Sequence, residues 1–302
     1  MDEEAMEAMR HIMRSQAAFA GMEVLTYCFL ANHFHIFVRL DPKETEDLDD
    51  AGLVGRFRAL YGGTRCASLG LDAKDLEVIL RKNGGSAEGI RRRLKARMGD
   101  VSVFMREVKT RFTFWYNQKC GTVGTFWAER FRSVVVEADT AAQRMVAAYI
   151  DLNPVRAGLV ADAGDYGFSG FGEACAGGSA ARRGIARIEG SASWTTKWHE
   201  RYRARLCSRM APGECSRQGA DRKPSEGAKG ENRGSAVAAE GSRLLSKIRA
   251  FSESWVVGSV AWVESFCGAN GWLGFRKGRR AKPAVQNGGD DFEKIATAAK
   301  RR

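Results

Sequence analysis

No apolar run in this 302-residue chain approaches the roughly 18 residues of a membrane helix. The best candidates, MVAAYI and VVGSVAWV, are far too short, so no membrane partner is expected. The N-terminus, MDEEAMEAM, is acidic where a secretion signal is basic and then apolar, which predicts a cytoplasmic protein. CxxC pairs are absent, and the seven cysteines are an odd number. That argues against a disulfide framework and a Cys-based zinc site, and it fits a reducing compartment. Cys207 and Cys215, near His199, lack any usual zinc spacing. Histidine is scarce, with four in the chain, and no internal repeat is present.

Positive charge is what the chain has in excess. The net charge is +12 and the pI is near 9.6, so an anionic partner such as nucleic acid is expected. The first 50 residues carry −7, residues 51–180 carry +6, and residues 181–302 carry +13. Residues 209–242 are rich in Gly, Ser, Ala and charge and almost free of large apolar side chains. Such a stretch cannot bury enough surface to offset its ordering entropy, and it reads as a disordered linker. The expected organisation is a main unit over 1–180, a basic and largely disordered segment over 181–242, and a small basic helical region over 243–302.

Hydrophobic spacing fills in the elements. Met6, Met9, Met13 and Ala17 predict an amphipathic helix over 3–20, closed by Gly21. Residues 22–30 and 33–40 read as an antiparallel strand pair around Ala31-Asn32. Residues 41–98 read as an insertion of helices and loops, with helical patterns at 51–61 and 86–97. Val101, Phe104, Met105, Val108, Phe112 and Trp115 predict a helix over 101–116, with Arg106, Lys109 and Thr113 on another face. Residues 125–136 read as a strand. Thr140 to Gln143 resembles a capping box for a helix to about 152, ended by Pro154. Strands and helices mix without βαβ alternation, so the class is α+β.

Two places carry candidate chemistry. His33 and His35 flank one apolar residue, Phe34, and side chains on a strand alternate with period two. Both imidazoles then share a face and can bind one divalent cation, or they are simply polar residues on a sheet face. Tyr149 and Asn153 are four apart on the later helix, so they share a face one turn apart. A Tyr hydroxyl beside a metal can attack phosphorus, and the amide oxygen of Asn153 suits Mg²⁺ or Mn²⁺. The alternative is a core tyrosine and a helix-capping asparagine. Arg106, Lys109, Arg111, Arg130, Arg132 and Arg156 are candidate phosphate contacts, and Trp115, Tyr116, Phe126 and Trp127 are candidate base-stacking residues or core.

Together these segments resemble the IS200-like single-tyrosine transposases, in the branch related to the REP-associated tyrosine transposases. The resemblance rests on NHFHIFV, on YIDLNPVRAGLV, on FMREVKTRFTFWYNQKCGTVGTFWAERFRSVVVE and on DYGFSGF, and covers roughly residues 3–180. It implies a ferredoxin-like α+β domain with an antiparallel sheet, acting on single-stranded or hairpin DNA at the nucleoid. It implies that His33 and His35 bind a divalent metal, Mg²⁺ or Mn²⁺, with Asn153 at the position of a third ligand. It implies that Tyr149 forms a 5′-phosphotyrosine link, and it suggests a homodimer. The family pattern has a further strand before the first helix, and this sequence starts at the helix. Either another segment fills that place or the copy is truncated. The expected alternative function is then a catalytically impaired protein that still binds hairpin DNA. Residues 243–280 read as two short helices with a basic arm, either a small helix-turn-helix DNA reader or a docking helical pair.

Overall fold

The structure, a computed structural model, describes residues 1–41, 43–138, 141–207, 256–269 and 295–298. It is mixed α and β, as the patterning predicts, and it divides into two compact units, Met1–Phe131 and Arg132–Arg302.

The first unit begins with α1 (Glu3–Ala20). Asp2 caps it by accepting from the Ala5 amide, and Gly21 ends it at φ 71°. That left-handed conformation favours glycine, and the Arg56 guanidinium lies where a Cβ would stand. Met6, Met9, Met13 and Ala17 are buried, as their spacing predicts. Strand β1 (Met22–Phe29) pairs antiparallel with β2 (Phe34–Leu40), with Cys28 opposite His35 and an irregularity between Val24 and Thr26. β1 is almost wholly buried, whereas every residue of β2 is half-buried.

The insertion holds four helices, α2 (Lys43–Glu46), α3 (Asp50–Tyr61), α4 (Ala73–Lys82) and α5 (Gly85–Lys95). Sequence spacing predicts α3 and α5 but not α4. A reciprocal capping box between Asp72 and Asp75 starts α4. Leu53, Phe57, Leu76, Leu80, Ala87 and Leu94 close a core of their own around Phe19. Helix α6 (Val101–Cys120) follows. Phe104, Met105, Val108 and Phe112 of the predicted stripe are buried, and Val101 and Trp115 are half-buried.

Glu107 of α6 is the polar tie of this unit. It takes both arms of Arg97 at 2.7 Å and accepts from Gln16 Nε2 of α1 at 2.9 Å. The Arg97 guanidinium also lies 4.6 Å from the Phe19 ring centroid. Burial pushes the Glu107 carboxyl up, but the bidentate Arg97 bond, the Gln16 bond and the charge of Arg111 together hold it below its usual 4.5.

One prediction fails in this unit. Residues 125–134 are not strand, and only Val135–Val136 form β3, in the second unit. Polar groups of α6 take the loop carbonyls that a strand would offer a neighbour. Asn117 Nδ2 donates to the Gly124 carbonyl, and Lys109 Nζ donates to that of Glu129.

In the second unit β3 pairs parallel with β4 (Val256–Ser259), which pairs antiparallel with β5 (Ile295–Ala298). The described strands therefore form two sheets rather than one. Helix α7 (Ala141–Asp151) matches its prediction, though Thr140 lies outside the described residues. Pro154 does not simply end α7. It stands in the first turn of a short helix α8 (Asn153–Arg156), where a missing N–H costs nothing. Helices α9 (Gly170–Cys175), α10 (Ser179–Ile188) and α11 (Thr196–Cys207) complete the bundle. Of the C-terminal region, Val260–Ala269 is helix α12, preceded directly by strand β4. Leu244, Ile248, Phe251 and the linker 209–242 lie outside the described residues.

Asp151, at the end of α7, is fully buried. One oxygen accepts from the Phe171 amide in the first turn of α9 at 3.1 Å, and the other from the Tyr202 hydroxyl of α11 at 2.5 Å. Truncating it strands two donors in the core, so Asp151→Ala is expected to lower stability by about 3 kcal/mol in urea melts. Tyr202→Phe removes one of the two bonds and is expected to cost about 1 kcal/mol. In the first unit, Glu107 has a folded value below its unfolded one, so its contribution is complete above about pH 4.5 and is lost as pH falls through the lower folded value. Glu107→Gln is expected to flatten the acid limb of stability against pH, and an unchanged limb would assign the acid sensitivity elsewhere.

Candidate functional site

His33 stands in the tight turn just before β2, where its carbonyl accepts from the Leu30 amide at 2.9 Å. His35 is the second residue of the strand. Their ring centroids are 5.2 Å apart and the rings are nearly perpendicular. A divalent cation lies ~2 Å from a ligating nitrogen, so ~3 Å from the ring centre, and two rings can share it when their centres are within ~6 Å. The pair meets that condition. His33 Nδ1 lies 2.7 Å from Asn32 Oδ1. An amide oxygen only accepts, so Nδ1 carries the proton and Nε2 keeps its lone pair, the arrangement of an imidazole ligand with an outer hydrogen bond. Partial desolvation lowers the His33 pKa, which also favours the neutral, ligating form. His35 Nε2 is buried. Two imidazoles are a softer set than Mg²⁺ prefers, so of the two expected ions they fit Mn²⁺ better. Among the described residues, no group of three or more His, Cys, Asp or Glu side chains could hold a metal ion.

Asn32 is missed as a functional residue when it is read only as a turn position. Its signal is its place directly before the first histidine.

Phe34, between the two histidines, packs edge-on against Trp127 at 5.3 Å. Trp127 belongs to the loop over α6, and the two enclose an open groove of about 1170 Å³. Arg106, Lys109 and Arg130 line it together. Trp127 Nε1 donates to the Lys109 carbonyl at 3.0 Å, and Lys109 Nζ lies 5.2 Å from the Trp127 ring centre. Desolvation lowers the Lys109 pKa. Arg111 is not in the groove. Its guanidinium lies over the Tyr61 ring at 5.1 Å. The candidate stacking residues are mostly packing residues. Trp115, Tyr116, Phe126 and Trp127 surround Phe112 with centroid distances of 5.0 to 6.2 Å. Among the described aromatics Phe114 is exposed, and the sequence reading does not single it out although it lies off the predicted apolar stripe.

In the second unit Tyr149 is half-buried near the C-terminal end of α7. The Arg156 guanidinium lies 4.9 Å from its ring centre and donates to its carbonyl at 3.0 Å. Desolvation lowers the Arg156 pKa, and the coupling to Tyr149 opposes that shift. Asn153 Nδ2 donates to the carbonyls of Tyr149 and Ile150 at 2.9 and 3.2 Å. The asparagine therefore caps α7, as the alternative reading has it. Both bonds use nitrogen, and Oδ1 is the atom left for a hard cation. Arg132 is exposed, three residues before β3. His199 Nε2 lies 3.6 Å from Cys175 Sγ. No helix among the described residues is long and apolar enough to cross a membrane.

Comparison with known proteins finds no family model, no curated protein and no solved structure that matches the chain.

The histidine geometry is checked by titrating the full chain with Mn²⁺ and reading free Mn²⁺ by electron paramagnetic resonance. His33→Ala is expected to abolish the site. Asn32→Ala, which leaves both ligands, is expected to weaken it ten- to a hundredfold. Equal affinity in all three proteins would remove the metal reading.

Proposed function

We propose that the chain is a metal-dependent DNA strand nickase and rejoiner of the single-tyrosine transposase type, acting on single-stranded or hairpin DNA. The observation that carries the reading is the histidine pair. Two imidazoles stand within reach of one cation, with His33 held in the ligating tautomer by Asn32. In this reading the hairpin β1–β2, packed on α1, belongs to a ferredoxin-like catalytic fold. The basic groove next to Phe34 supplies the affinity for phosphate.

The chemistry follows from the groups present. In this proposal His33 and His35 would hold the cation, and Asn153 Oδ1 would supply the third ligand. When bound, the cation supplies Lewis-acid polarisation of the scissile phosphate. Tyr149 Oη attacks phosphorus and gives up its proton. The bond from phosphorus to the 3′ oxygen breaks, a 5′-phosphotyrosine forms, and the 3′ oxygen leaves as a hydroxyl. Arg156, on the Tyr149 ring, lends positive charge where the phenol oxygen becomes anionic. The covalent link conserves the energy of the broken ester, so rejoining needs no nucleotide cofactor. A homodimer is part of the proposal.

The test is a labelled hairpin oligonucleotide incubated with Mn²⁺ and run on a denaturing gel. A protein–DNA adduct is expected with the natural sequence and absent with Tyr149→Phe and with His33→Ala, while hairpin binding stays within about threefold. An adduct that survives Tyr149→Phe refutes the assigned nucleophile. Salt-sensitive binding with no adduct in any protein leaves the hairpin-binding alternative.

A further inference from the structure

The groove on α6 carries one side chain that its packing does not explain. Phe114 is 71 % exposed, while Phe112, two residues before it, is fully buried. Arg106, Thr110, Thr113, Phe114 and Asn117 recur at spacings of three and four along α6, so they form one outward stripe. The opposite wall is the loop that follows the helix. It is tied down at two points, by Asn117 to Gly124 and by Lys109 to Glu129, at 2.9 and 2.6 Å. Thr122 Oγ1 adds a bond to Asn117 Oδ1 at 2.9 Å. The wall therefore stands ready, with little ordering cost left for a ligand to meet. From Arg106 to Gln118 the helix advances ~18 Å, room for a few nucleotides in a row.

An exposed aromatic face set among cations selects among anionic polymers. Cations alone neutralise phosphates on any nucleic acid and on acidic peptides. A flat ring adds affinity only where a base face is bare, because a duplex spends its base faces on stacking within itself. Trp127 and Phe126 cannot serve this way, since their rings are engaged in the cluster around Phe112. Lys109 is committed to the loop carbonyl and acts as wall. We propose that this groove is a subsite for an unpaired stretch of DNA, with one base stacked on Phe114 and neighbouring phosphates on Arg106 and Arg130. The proposal rests on the reading of DNA as substrate, and it requires neither the metal nor Tyr149.

The experiment is fluorescence anisotropy of the full chain without divalent metal. The probes are labelled oligo-dT of about 15 nucleotides, a duplex of the same length and the matching oligo-rU. Phe114→Ala is expected to weaken oligo-dT about tenfold and to leave duplex binding within about twofold. Phe114→Trp is expected to keep the affinity. Arg106→Ala is expected to weaken both forms and to reduce the salt slope by about one. The proposal is overturned by unchanged oligo-dT binding in Phe114→Ala, by an equal loss on duplex and single strand, or by oligo-rU binding tighter than oligo-dT with the same Phe114 dependence. Circular dichroism of Phe114→Ala guards the comparison, and the side chain is so exposed that its loss leaves the fold intact. The assay holds no divalent metal, so it reads binding apart from strand transfer. A missing DNA adduct with Phe114 dependence intact therefore discards the nicking reading alone, and the reverse result discards the subsite alone.

Discussion

A carboxylate taken out of water must be met by donors on every side, and each unit of this protein is organised around that demand. In the first unit the donors to Glu107 are Arg97 and Gln16, which bring α6, the end of the insertion and α1 to one point. In the second, Asp151 joins α7 to the first turn of α9 and to α11. Glu189 repeats the device, with both arms of Arg205 on its two oxygens at 3.1 Å and Arg201 at 3.3 Å on one of them. Apolar burial supplies most of the driving force but is indifferent to direction. These carboxylates are not, because each accepts only where a donor stands along its lone pairs. They fix which helix ends meet.

That constraint bears on the candidate chemistry. Asp151 is two residues after Tyr149 and points to the other side of α7, into the core. The same turn of helix thus presents a half-buried phenol outward and anchors itself inward. Arg156 closes the arrangement by holding both the Tyr149 carbonyl and the ring face. On the histidine side the anchoring is local. A tight turn sets His33, the strand sets His35, and Asn32 sets the proton. The candidate groups are held by short connections in both places.

The helices that follow a clean apolar stripe were legible in the sequence. Helices α1, α6 and α7 have their expected places because the buried residues of each follow one stripe, and the strand pair β1–β2 forms where two β-rich runs flank a short turn. What was not legible depends on partners distant in sequence. α4 has its apolar residues Leu76 and Leu80 closely spaced, but its start is set by the side chains of Asp72 and Asp75. The strand expected over 125–136 has the right composition, yet only Val135–Val136 are strand, and Asn117 and Lys109 of α6 take the Gly124 and Glu129 carbonyls of the loop before them. Asp151 and Tyr202 are 51 positions apart, and nothing local marks either as a core ion or its donor. At the candidate site, spacing identifies the histidines and the tyrosine as residues that share a face. It does not distinguish the capping role of Asn153 from a ligand role, and the structure shows the cap. Nor does it separate Phe114 from the aromatics beside it, although its position off the stripe was the available signal.

The C-terminal segment enters the second unit at a specific place. Val256 and Val257 lie beside Val135 and Val136, and Val257 packs with Ala142 and Met145 of α7. The Glu137 amide donates to the Val257 carbonyl, and the Glu137 carboxylate accepts from the Ser259 amide and hydroxyl at 2.6 and 3.1 Å. Gly258 is required there, because a Cβ would meet the Trp262 ring and the Glu137 side chain at under 3 Å. Residues more than a hundred positions beyond α7 therefore complete the wall on which its N-terminal half rests. Tyr149 rides on that helix one turn beyond Met145. A helix packed on Val257 at one end and tied by Asp151 at the other has little freedom to slide or tilt. That is the condition under which a side chain on the helix keeps one position relative to the core.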